Sequence, residues 1–376
     1  MVAPGSPYPA PMASVTGLAA TMGRRATVLI LAATAATILT FVLRSAGADE
    51  VAVFVVSALA LGALAAIVGE ATDELGYRFG PGATGVLQSA LGNLPELFIS
   101  IFALQAGLVV LVQTALIGSI LANTLLVLGL AFIAGGLRHG VQRFVRERVR
   151  LIATLLLLSV AALTIPTLAT APGAPDQGHA VELSVITSVV LLIVFGASIP
   201  FSIAGGPGAS ASVHMEEGPV WPLSLALGVL ALSGGAAALV SDWFVEALRP
   251  AMAAIGLSEA FVGLVIVAIA GNAVEHVVGV QMAYRNRPDL AISLILNASL
   301  QVALALIPAL VIISLLAPAP LTLVLSPLLL ASVALSAILA AVIVFDGEST
   351  WLEGLSLVGL YVIIAASVWF GPPIAG

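Results

Sequence analysis

The sequence predicts an all-α integral membrane protein with about eleven transmembrane helices, built as two inverted five-helix repeats after an extra N-terminal helix. Of its 376 residues, 61% are apolar and 8% are charged, and the mean hydropathy is +1.19. A soluble domain carries roughly 25% charged residues. The apolar residues form continuous runs, unlike the alternating pattern of a membrane β-barrel. One short polar motif also occurs twice inside these runs.

Charge and cysteine content exclude several classes of function. The net charge is −7 and the 12 basic residues are all Arg, so the basic face of a nucleic-acid-binding protein is missing. Cys is absent, which excludes disulfides, thiolate metal sites and Cys nucleophiles. An intramembrane enzyme is disfavoured, because neither a His-x-x-x-His pattern nor a Ser/Lys pair occurs. We therefore expect neither enzyme activity nor a cofactor.

The N-terminal part is expected to lie outside the repeats. Residues 1–23 are rich in Pro, Ala, Gly and Ser and predict a disordered tail. Residues 24–48 predict a first transmembrane helix, because an apolar run follows Arg24 and Arg25. The alternative is a cleaved signal peptide, since Ala46-Gly47-Ala48 resembles a cleavage site, although the run is long for a signal core.

Ten further apolar segments predict two five-helix halves. The first half covers residues 49–203 and the second covers residues 221–376. Residues 204–220 predict a cytoplasmic linker that carries Glu216 and Glu217 at a solvated loop end. The segments lie near residues 50–71, 84–105, 108–134, 150–169, 181–203, 221–241, 256–284, 288–316, 320–345 and 352–370.

The distribution of Arg predicts the orientation of the chain. With a cytoplasmic N-terminus, ten Arg residues lie on the cytoplasmic side and only Arg44 and Arg249 lie on the other. The C-terminus is then on the opposite side. The Arg cluster at 138–150 is interpreted as an orientation anchor, with an anionic-lipid or regulatory site as the alternative. The composition favours a bacterial inner membrane. The bilayer is the expected partner, and a homo-oligomer is left open.

The repeated motif is Gly92-Asn93-Leu94-Pro95-Glu96 and Gly271-Asn272-Ala273-Val274-Glu275. The first copy lies in the third predicted span and the second in the eighth. A shift of five spans inverts one copy relative to the other, which is the signature of an inverted-topology repeat. Each Asn precedes its Glu by three residues and therefore lies on the same helical face.

Polar residues that flank the two motifs extend the repeat. Ser119 and Asn123 follow the first copy, and Ser299 and Gln301 follow the second. Glu96 and Asn123 are 27 residues apart, and Glu275 and Gln301 are 26 apart. Upstream, Asp73 and Glu74 close the second predicted span, and Ser241, Asp242 and Glu246 close the seventh.

Two carboxylates deep in a bilayer indicate a function, because placing each of them at the bilayer centre costs at least about 2.5–3.5 kcal/mol of free energy. A purely structural role, in which each Glu is protonated or hydrogen-bonds to a neighbouring helix, would not explain the Gly-Asn that precedes each Glu. Gly and Pro break helices, which frees carbonyl groups where a chain lines a cavity. Carboxylates, amides and carbonyls together form a hard-cation site of the kind Ca²⁺ prefers. His276 is either a hydrogen-bonded packing residue or supports the site, because one His does not make a zinc site.

Competition between cation and proton follows from the same pair of carboxylates. Like charges repel in a low-dielectric cavity, so the site is stabilised by a bound dication or by protons. This behaviour is typical of a cation/proton antiporter. A passive channel is the alternative, but a channel does not need two inverted copies.

At these residues the chain resembles the Ca²⁺/H⁺ exchanger (CAX) family of the cation/calcium antiporter superfamily. Both motifs are similar to the family's Gly-Asn-Ala-x-Glu sequences. The similarity covers roughly residues 50–370 and continues through Ala71-Thr72-Asp73-Glu74-Leu75, Ile101-Phe102-Ala103-Leu104, Gly118-Ser119-Ile120-Leu121 and His276.

The resemblance implies an eleven-span exchanger in which Glu96 and Glu275 bind Ca²⁺ and protons alternately. It also implies a cytoplasmic cation or proton path at the ends of spans two and seven, which indicates Asp73, Glu74 and Asp242. The implied metal ligands are Glu96, Glu275, Asn93, Asn272, Ser119, Asn123, Ser299 and Gln301.

The chain departs from the family pattern at three places. Leu94-Pro95 replaces the usual small residues, and Pro-Glu resembles the Na⁺/Ca²⁺ branch of the superfamily. Na⁺-coupled Ca²⁺ exchange, or exchange of Mn²⁺ or Na⁺ against protons, is therefore the alternative function. Ala298 occupies an expected Ser position, so that one ligand is lost or displaced. The acidic linker is reduced to His214-Met215-Glu216-Glu217.

Overall fold

The computed structural model describes residues 15–79, 91–174, 176–203 and 221–370. The described chain is mostly helical, as the composition predicts, with three π-helical segments and two very short strands. The elements are α1 (Val15–Ser45), α2 (Glu50–Phe79), α3 (Leu94–Gln105), α4 (Val109–Leu121), π1 (Ala122–Val127), α5 (Leu128–His139), β1 (Gln142–Arg143), α6 (Arg146–Ala169), α7 (Ala180–Ile203), α8 (Leu223–Ile255), α9 (Glu259–Phe261), π2 (Val262–Val267), α10 (Ala268–Gly271), α11 (Ala273–Tyr284), α12 (Pro288–Gln301), π3 (Val302–Leu306), α13 (Ile307–Ser314), α14 (Pro327–Ile343), β2 (Glu348–Ser349) and α15 (Trp351–Phe370).

The lengths of the apolar helices are those of a multi-pass membrane protein. Eight helical stretches of the described chain are long and apolar enough to cross a bilayer. A ninth span is formed if the two stretches Glu259–Gly271 and Glu275–Tyr284, bent by 63°, are taken together. Leu94–Gln105 and Pro327–Ile343 are shorter apolar helices. The total of eleven spans therefore stays a prediction.

The N-terminal helix begins earlier than the composition suggested. Helix α1 starts at Val15, inside the segment 1–23 that was expected to be a disordered tail. Leu, Ala and Met at residues 18–22 favour a helix, which explains the difference. Gly23 has φ 79° and marks a break before the apolar part of the helix. Residues 1–14 lie outside the described ranges, as do the predicted linker 204–220 and residues 371–376.

Helix α8 extends far beyond the expected span of residues 221–241. It continues to Ile255, where Gly256 closes it in the left-handed conformation with φ 69°. Asp242 therefore lies within the helix and not at its end, and its side chain is exposed. The expectation that Asp242 closes the seventh span was wrong, because the polar pair Ser241-Asp242 does not interrupt the helical hydrogen bonds.

Contacts between helix ends fall into two groups. At one face, Nε2 of His139 lies 2.9 Å from the Tyr284 carbonyl, and the Gln142 amide donates to the Ala283 carbonyl at 3.0 Å. At the other face, Arg44 forms a 2.6 Å ion pair with Glu246. The first group joins α5 and β1 to the end of α11, and the second joins the end of α1 to α8.

Several helices cross at glycine, which allows close backbone contact inside the membrane. A Cβ atom on Gly129 of α5 would lie 2.6 Å from the Gly354 carbonyl oxygen of α15. A Cβ on Gly354 would lie 2.5 Å from the Gly129 carbonyl oxygen. Neither position therefore has room for a side chain, and the two helices are held at the shortest distance that backbones allow.

Strands β1 and β2 connect the two predicted halves at one face. They pair antiparallel, with Gln142 opposite Ser349 and Arg143 opposite Glu348. The Arg143 guanidinium lies 3.0 Å from the Glu348 carboxylate. The sequence analysis did not predict this pairing, because two residues are too few to show an alternating pattern.

The strand pairing predicts a specific disulfide. Cα atoms of opposed antiparallel residues lie roughly 4.5–5.5 Å apart, within the 4.4–6.8 Å that a disulfide spans. We expect the double variant Arg143→Cys/Glu348→Cys to form this bond under mild oxidation, in a chain that has no native Cys. Oxidised protein should react with a maleimide-polyethylene glycol only after reduction.

A matched control is the pair Val145→Cys/Glu348→Cys, which is two residues out of register. Val145 is exposed, so the oxidant can reach it. Equal cross-linking of both pairs, or none in the first pair, would contradict the pairing.

Candidate cation site

The two motif copies fold into the same local structure. Asn93 precedes α3 with φ −94° and ψ 19°, and Asn272 precedes α11 with φ −104° and ψ 18°. In each copy the Asn carbonyl accepts the first helical hydrogen bond, from the N–H groups of Leu97 at 2.9 Å and His276 at 3.1 Å. In each copy a helix therefore begins directly after the motif Asn, within an apolar segment.

Both motif glutamates lie in the first turn of the helix that follows the break. The N-terminus of a helix carries partial positive charge and unpaired N–H groups, which favour a carboxylate. The local fold thus provides some compensation for placing Glu96 and Glu275 in the interior.

Glu96 is packed against the second motif. Its side chain is 4% exposed, and a Cβ on Gly271 would lie 2.8 Å from both Cγ and Oε1 of Glu96. A side chain at position 271 would displace the Glu96 carboxylate from this place. Oε2 of Glu96 is buried and has no hydrogen-bond partner among the described residues. A buried carboxylate oxygen without a partner is costly unless a cation or a proton reaches it.

Glu275 faces the same interior region. It is partly buried, its charge acts on Glu96, and the charge of Asp73 acts on Glu275 in turn. Asp73 is itself partly buried near the end of α2. Glu275 of α11 is thus within electrostatic range of Glu96 of α3 and of Asp73 of α2.

Asn272 forms a contact between the predicted halves. Its side-chain amide donates to the Ser119 hydroxyl at 3.1 Å and to the Ala268 carbonyl at 3.1 Å. Asn272 is 1% exposed and Ser119 is 2% exposed. Both amide hydrogens are in use, which fixes the orientation of the side chain. Two residues that the sequence identified as ligands, one in each half, are therefore in direct contact.

Three of the four remaining candidate ligands lie in or close to π-helical segments, and the fourth, Asn93, directly precedes α3. Asn123 is fully buried in π1, and neither its side-chain oxygen nor its nitrogen has a partner in the described structure. Ser299 is fully buried and donates to the Ile295 carbonyl at 3.4 Å. Gln301, next to π3, and Asn93 are partly buried. π-Helical turns often occur at functional sites, because they turn polar groups out of the regular helical pattern.

Glu74 and Asp242 are the other two acids predicted for the path. The Glu74 carboxylate accepts the Trp221 N–H at 2.9 Å, so it connects α2 to the start of α8. Asp242 is exposed within α8. Nε2 of His276 is buried without a partner within the described residues, which does not support a hydrogen-bonded packing role for that nitrogen.

The donor set suits a hard cation. No group of three His, Cys, Asp or Glu side chains that could hold a metal is found in the described ranges. The available ligands are two carboxylates together with amide, hydroxyl and backbone oxygens. Ca²⁺ is coordinated by oxygen ligands of these kinds. A dication at this position would also supply Oε2 of Glu96 with the partner it lacks.

The sequence analysis missed two glycines beside this site. Gly118 and Gly263 lie where α4 and π2 cross, immediately before Ser119 in the first case. Gly118 was quoted only as part of a resemblance, and Gly263 has no signal in the sequence. A close crossing depends on which helices meet, so spacing along one chain cannot reveal it.

Comparisons with known proteins place the chain among cation exchangers. The model of the sodium/calcium exchanger protein family matches residues 50–204 and 225–370. A Ca²⁺/H⁺ antiporter of Aphanothece halophytica is 35% identical over 334 residues, covering 84% of this chain and 89% of the relative. The Ca²⁺/H⁺ antiporter ChaA of Bacillus subtilis strain 168 is 35% identical over 311 residues, covering 81% of this chain and 88% of the relative.

Solved structures give the same result. The structure of native YfkE superimposes with a TM-score of 0.79 at 30% identity, covering 91% of this chain and all of YfkE. The H⁺/Ca²⁺ exchanger CAX superimposes with a TM-score of 0.69 at 17% identity, covering 92% of each chain. The second likeness concerns the fold alone.

The contact between Gly271 and Glu96 predicts an unusual effect of alanine. Within a helix, Gly→Ala normally stabilises by up to about 1 kcal/mol. We expect Gly271→Ala to destabilise the detergent-solubilised protein by roughly 1–3 kcal/mol, because the methyl group overlaps Glu96. Thermal unfolding measures the difference. Gly235→Ala in α8, where a Cβ meets nothing within 4 Å, is the matched control and should be neutral or stabilising. Equal melting temperatures for both variants would contradict the packing.

Proposed function

The chain belongs to the Ca²⁺/H⁺ exchanger (CAX) family of the cation/calcium exchanger superfamily, and we propose that it exchanges Ca²⁺ for protons across a membrane at a site formed by Glu96 and Glu275. Members of this family are transporters and not enzymes. The observation that carries the proposal is the buried Glu96, which packs on Gly271 of the second motif and has a carboxylate oxygen without a partner.

The ligand set supports Ca²⁺ as the transported cation. Glu96 and Glu275 supply two carboxylates, which can bind a large cation through both oxygens. Asn272 and Ser119 lie beside them, and Asn123 contributes an amide without a partner. Mg²⁺ would require a tighter octahedron with more water, and Zn²⁺ would require His or Cys. We assign Asn93, Ser299 and Gln301 to the outer part of the same ligand set.

Proton coupling follows from the electrostatics of the pair. The two carboxylates repel each other, and the charge of Asp73 adds to the repulsion at Glu275. A bound dication removes the repulsion, and so does protonation. Cation and protons therefore compete for the same oxygens. Either occupied form presents little net charge to the membrane while the protein changes the side to which the site opens, which is the condition for exchange without leakage.

Alternating access in this proposal uses two inverted halves. Support comes from the matching backbone angles of Asn93 and Asn272, which are 179 residues apart, as are Glu96 and Glu275. The segments π1 and π3 end at Val127 and Leu306, which are also 179 residues apart. The two segments of the family match coincide closely with the proposed halves.

The orientation that we propose places the N-terminus in the cytoplasm and the C-terminus on the opposite side. The distribution of Arg supports it, because Arg44 and Arg249 contact partners at the face that holds the fewest basic residues. Asp73 then serves the cytoplasmic path to Glu275.

Transport in proteoliposomes tests the proposal. We expect an imposed pH gradient to drive Ca²⁺ uptake by the wild-type protein, measured as ⁴⁵Ca²⁺ accumulation. Glu96→Gln and Glu275→Gln should each abolish uptake, because a neutral amide can neither exchange a proton nor bind Ca²⁺ through two oxygens. Glu182→Gln is the matched control, since Glu182 is exposed at the start of α7, and it should transport normally.

Two results would contradict the proposal. Uptake that follows a Na⁺ gradient and ignores the pH gradient would reject proton coupling in favour of Na⁺ coupling. Substantial uptake by either Gln variant would reject a shared site.

A further inference from the structure

The crossing of α4 and π2 brings two backbones into contact beside the cation site. A Cβ on Gly118 would overlap the carbonyl oxygen of Leu264 and would lie 2.7 Å from its Cα. A Cβ on Gly263 would lie 2.6 Å from the Leu111 carbonyl oxygen and would overlap the Thr114 hydroxyl. Each glycine therefore faces the backbone of the other helix, and neither position accepts a methyl group without moving a helix.

The crossing lies next to two proposed ligands of the site, Ser119 and Asn272. Ser119 follows Gly118 directly, so any displacement of α4 at Gly118 moves the Ser119 hydroxyl. Asn272 lies at the end of the same continuous helical run that contains Gly263, and its amide donates to that hydroxyl at 3.1 Å. The hydrogen bond between the halves thus spans a gap that the two glycines set.

We propose that Gly118 and Gly263 are positioning residues that set the width of the cation site and thereby its selectivity among divalent cations. They act through Ser119 and Asn272 and do not contact the cation themselves. The inference rests on the proposed function, because it concerns the same site. Small residues at helix crossings commonly allow close packing; the additional step here is that this crossing fixes the distance between ligands from the two halves.

The size of the overlap predicts the direction of the effect. Carbon and oxygen atoms not bonded to each other approach to about 3.5 Å, so a methyl group on Gly118 forces α4 and π2 apart. A wider site binds Ca²⁺ more weakly, and it weakens the binding of the larger Sr²⁺ by a smaller factor. Selectivity among hard cations depends on the size of the cavity and on the flexibility of the ligands. General loss of stability would weaken transport of both ions alike.

Cation selectivity in proteoliposomes tests this role. With an imposed pH gradient, we expect Gly118→Ala to raise the apparent KM for Ca²⁺ by roughly two- to tenfold. This factor corresponds to the loss of one hydrogen bond, the one between Asn272 and Ser119. The KM for Sr²⁺ should rise less, so the preference for Ca²⁺ over Sr²⁺ falls. Elution as a single species and the melting temperature report whether the variant is folded.

The controls are alanine substitutions at glycines with open space. Gly196→Ala in α7 and Gly228→Ala in α8 meet nothing within 4 Å and should keep the wild-type KM values for both ions. If Gly118→Ala does not fold, Gly263→Ala combined with Thr114→Ala replaces it. That pair removes the side-chain overlap at Thr114 and keeps the close backbone approaches to the Leu111 carbonyl oxygen and the Ala115 nitrogen, so the same shift in selectivity is expected.

Three outcomes separate this inference from the proposed function. A folded crossing variant with wild-type selectivity, or with equal loss for Ca²⁺ and Sr²⁺, would overturn the positioning role alone. The same shift in the Gly196 or Gly228 variants would also overturn it. Absence of pH-driven Ca²⁺ uptake by the wild-type protein would overturn the proposed function, and this inference with it.

Discussion

The free energy of placing charge in the membrane interior is the constraint on which the rest of this structure depends. A carboxylate there costs several kcal/mol unless it has a partner, and Glu96 has one oxygen without any among the described residues. Glu275 and Asp73 add negative charge nearby. Cations or protons at this site would offset that cost, which connects the stability of the fold to its proposed activity.

The helices meet that constraint through their breaks and crossings. One helix begins after Asn93 and another begins after Asn272, so each glutamate lies in a first turn where backbone N–H groups are unpaired. Gly271 gives Glu96 the room to approach the second motif. Gly118 and Gly263 bring the helices close enough for Asn272 to reach Ser119.

Much of this could be predicted from the sequence, because long apolar runs have one stable solution in a membrane. The helical, membrane-spanning character of the chain was predicted from these runs, and the structure brings Glu96 of the first motif against Gly271 of the second. Helix ends were harder to predict: α1 starts inside the expected tail, and α8 continues past Asp242. An exposed polar pair does not end a helix whose backbone hydrogen bonds are intact. The crossing at Gly118, the pairing of β1 with β2 and the π-helical turns depend on contacts between distant segments, which local patterns do not encode.

Competition between Ca²⁺ and protons for one site is the central claim, and calorimetry of the purified protein tests it most directly. Ca²⁺ binding is measured at several pH values, in pairs of buffers that differ in ionisation enthalpy. The account predicts that Ca²⁺ binding releases protons, and that the apparent Kd rises as the pH falls, because protons then occupy the carboxylates that the cation needs. Ca²⁺ binding with the same heat in every buffer and the same Kd at every pH would contradict it.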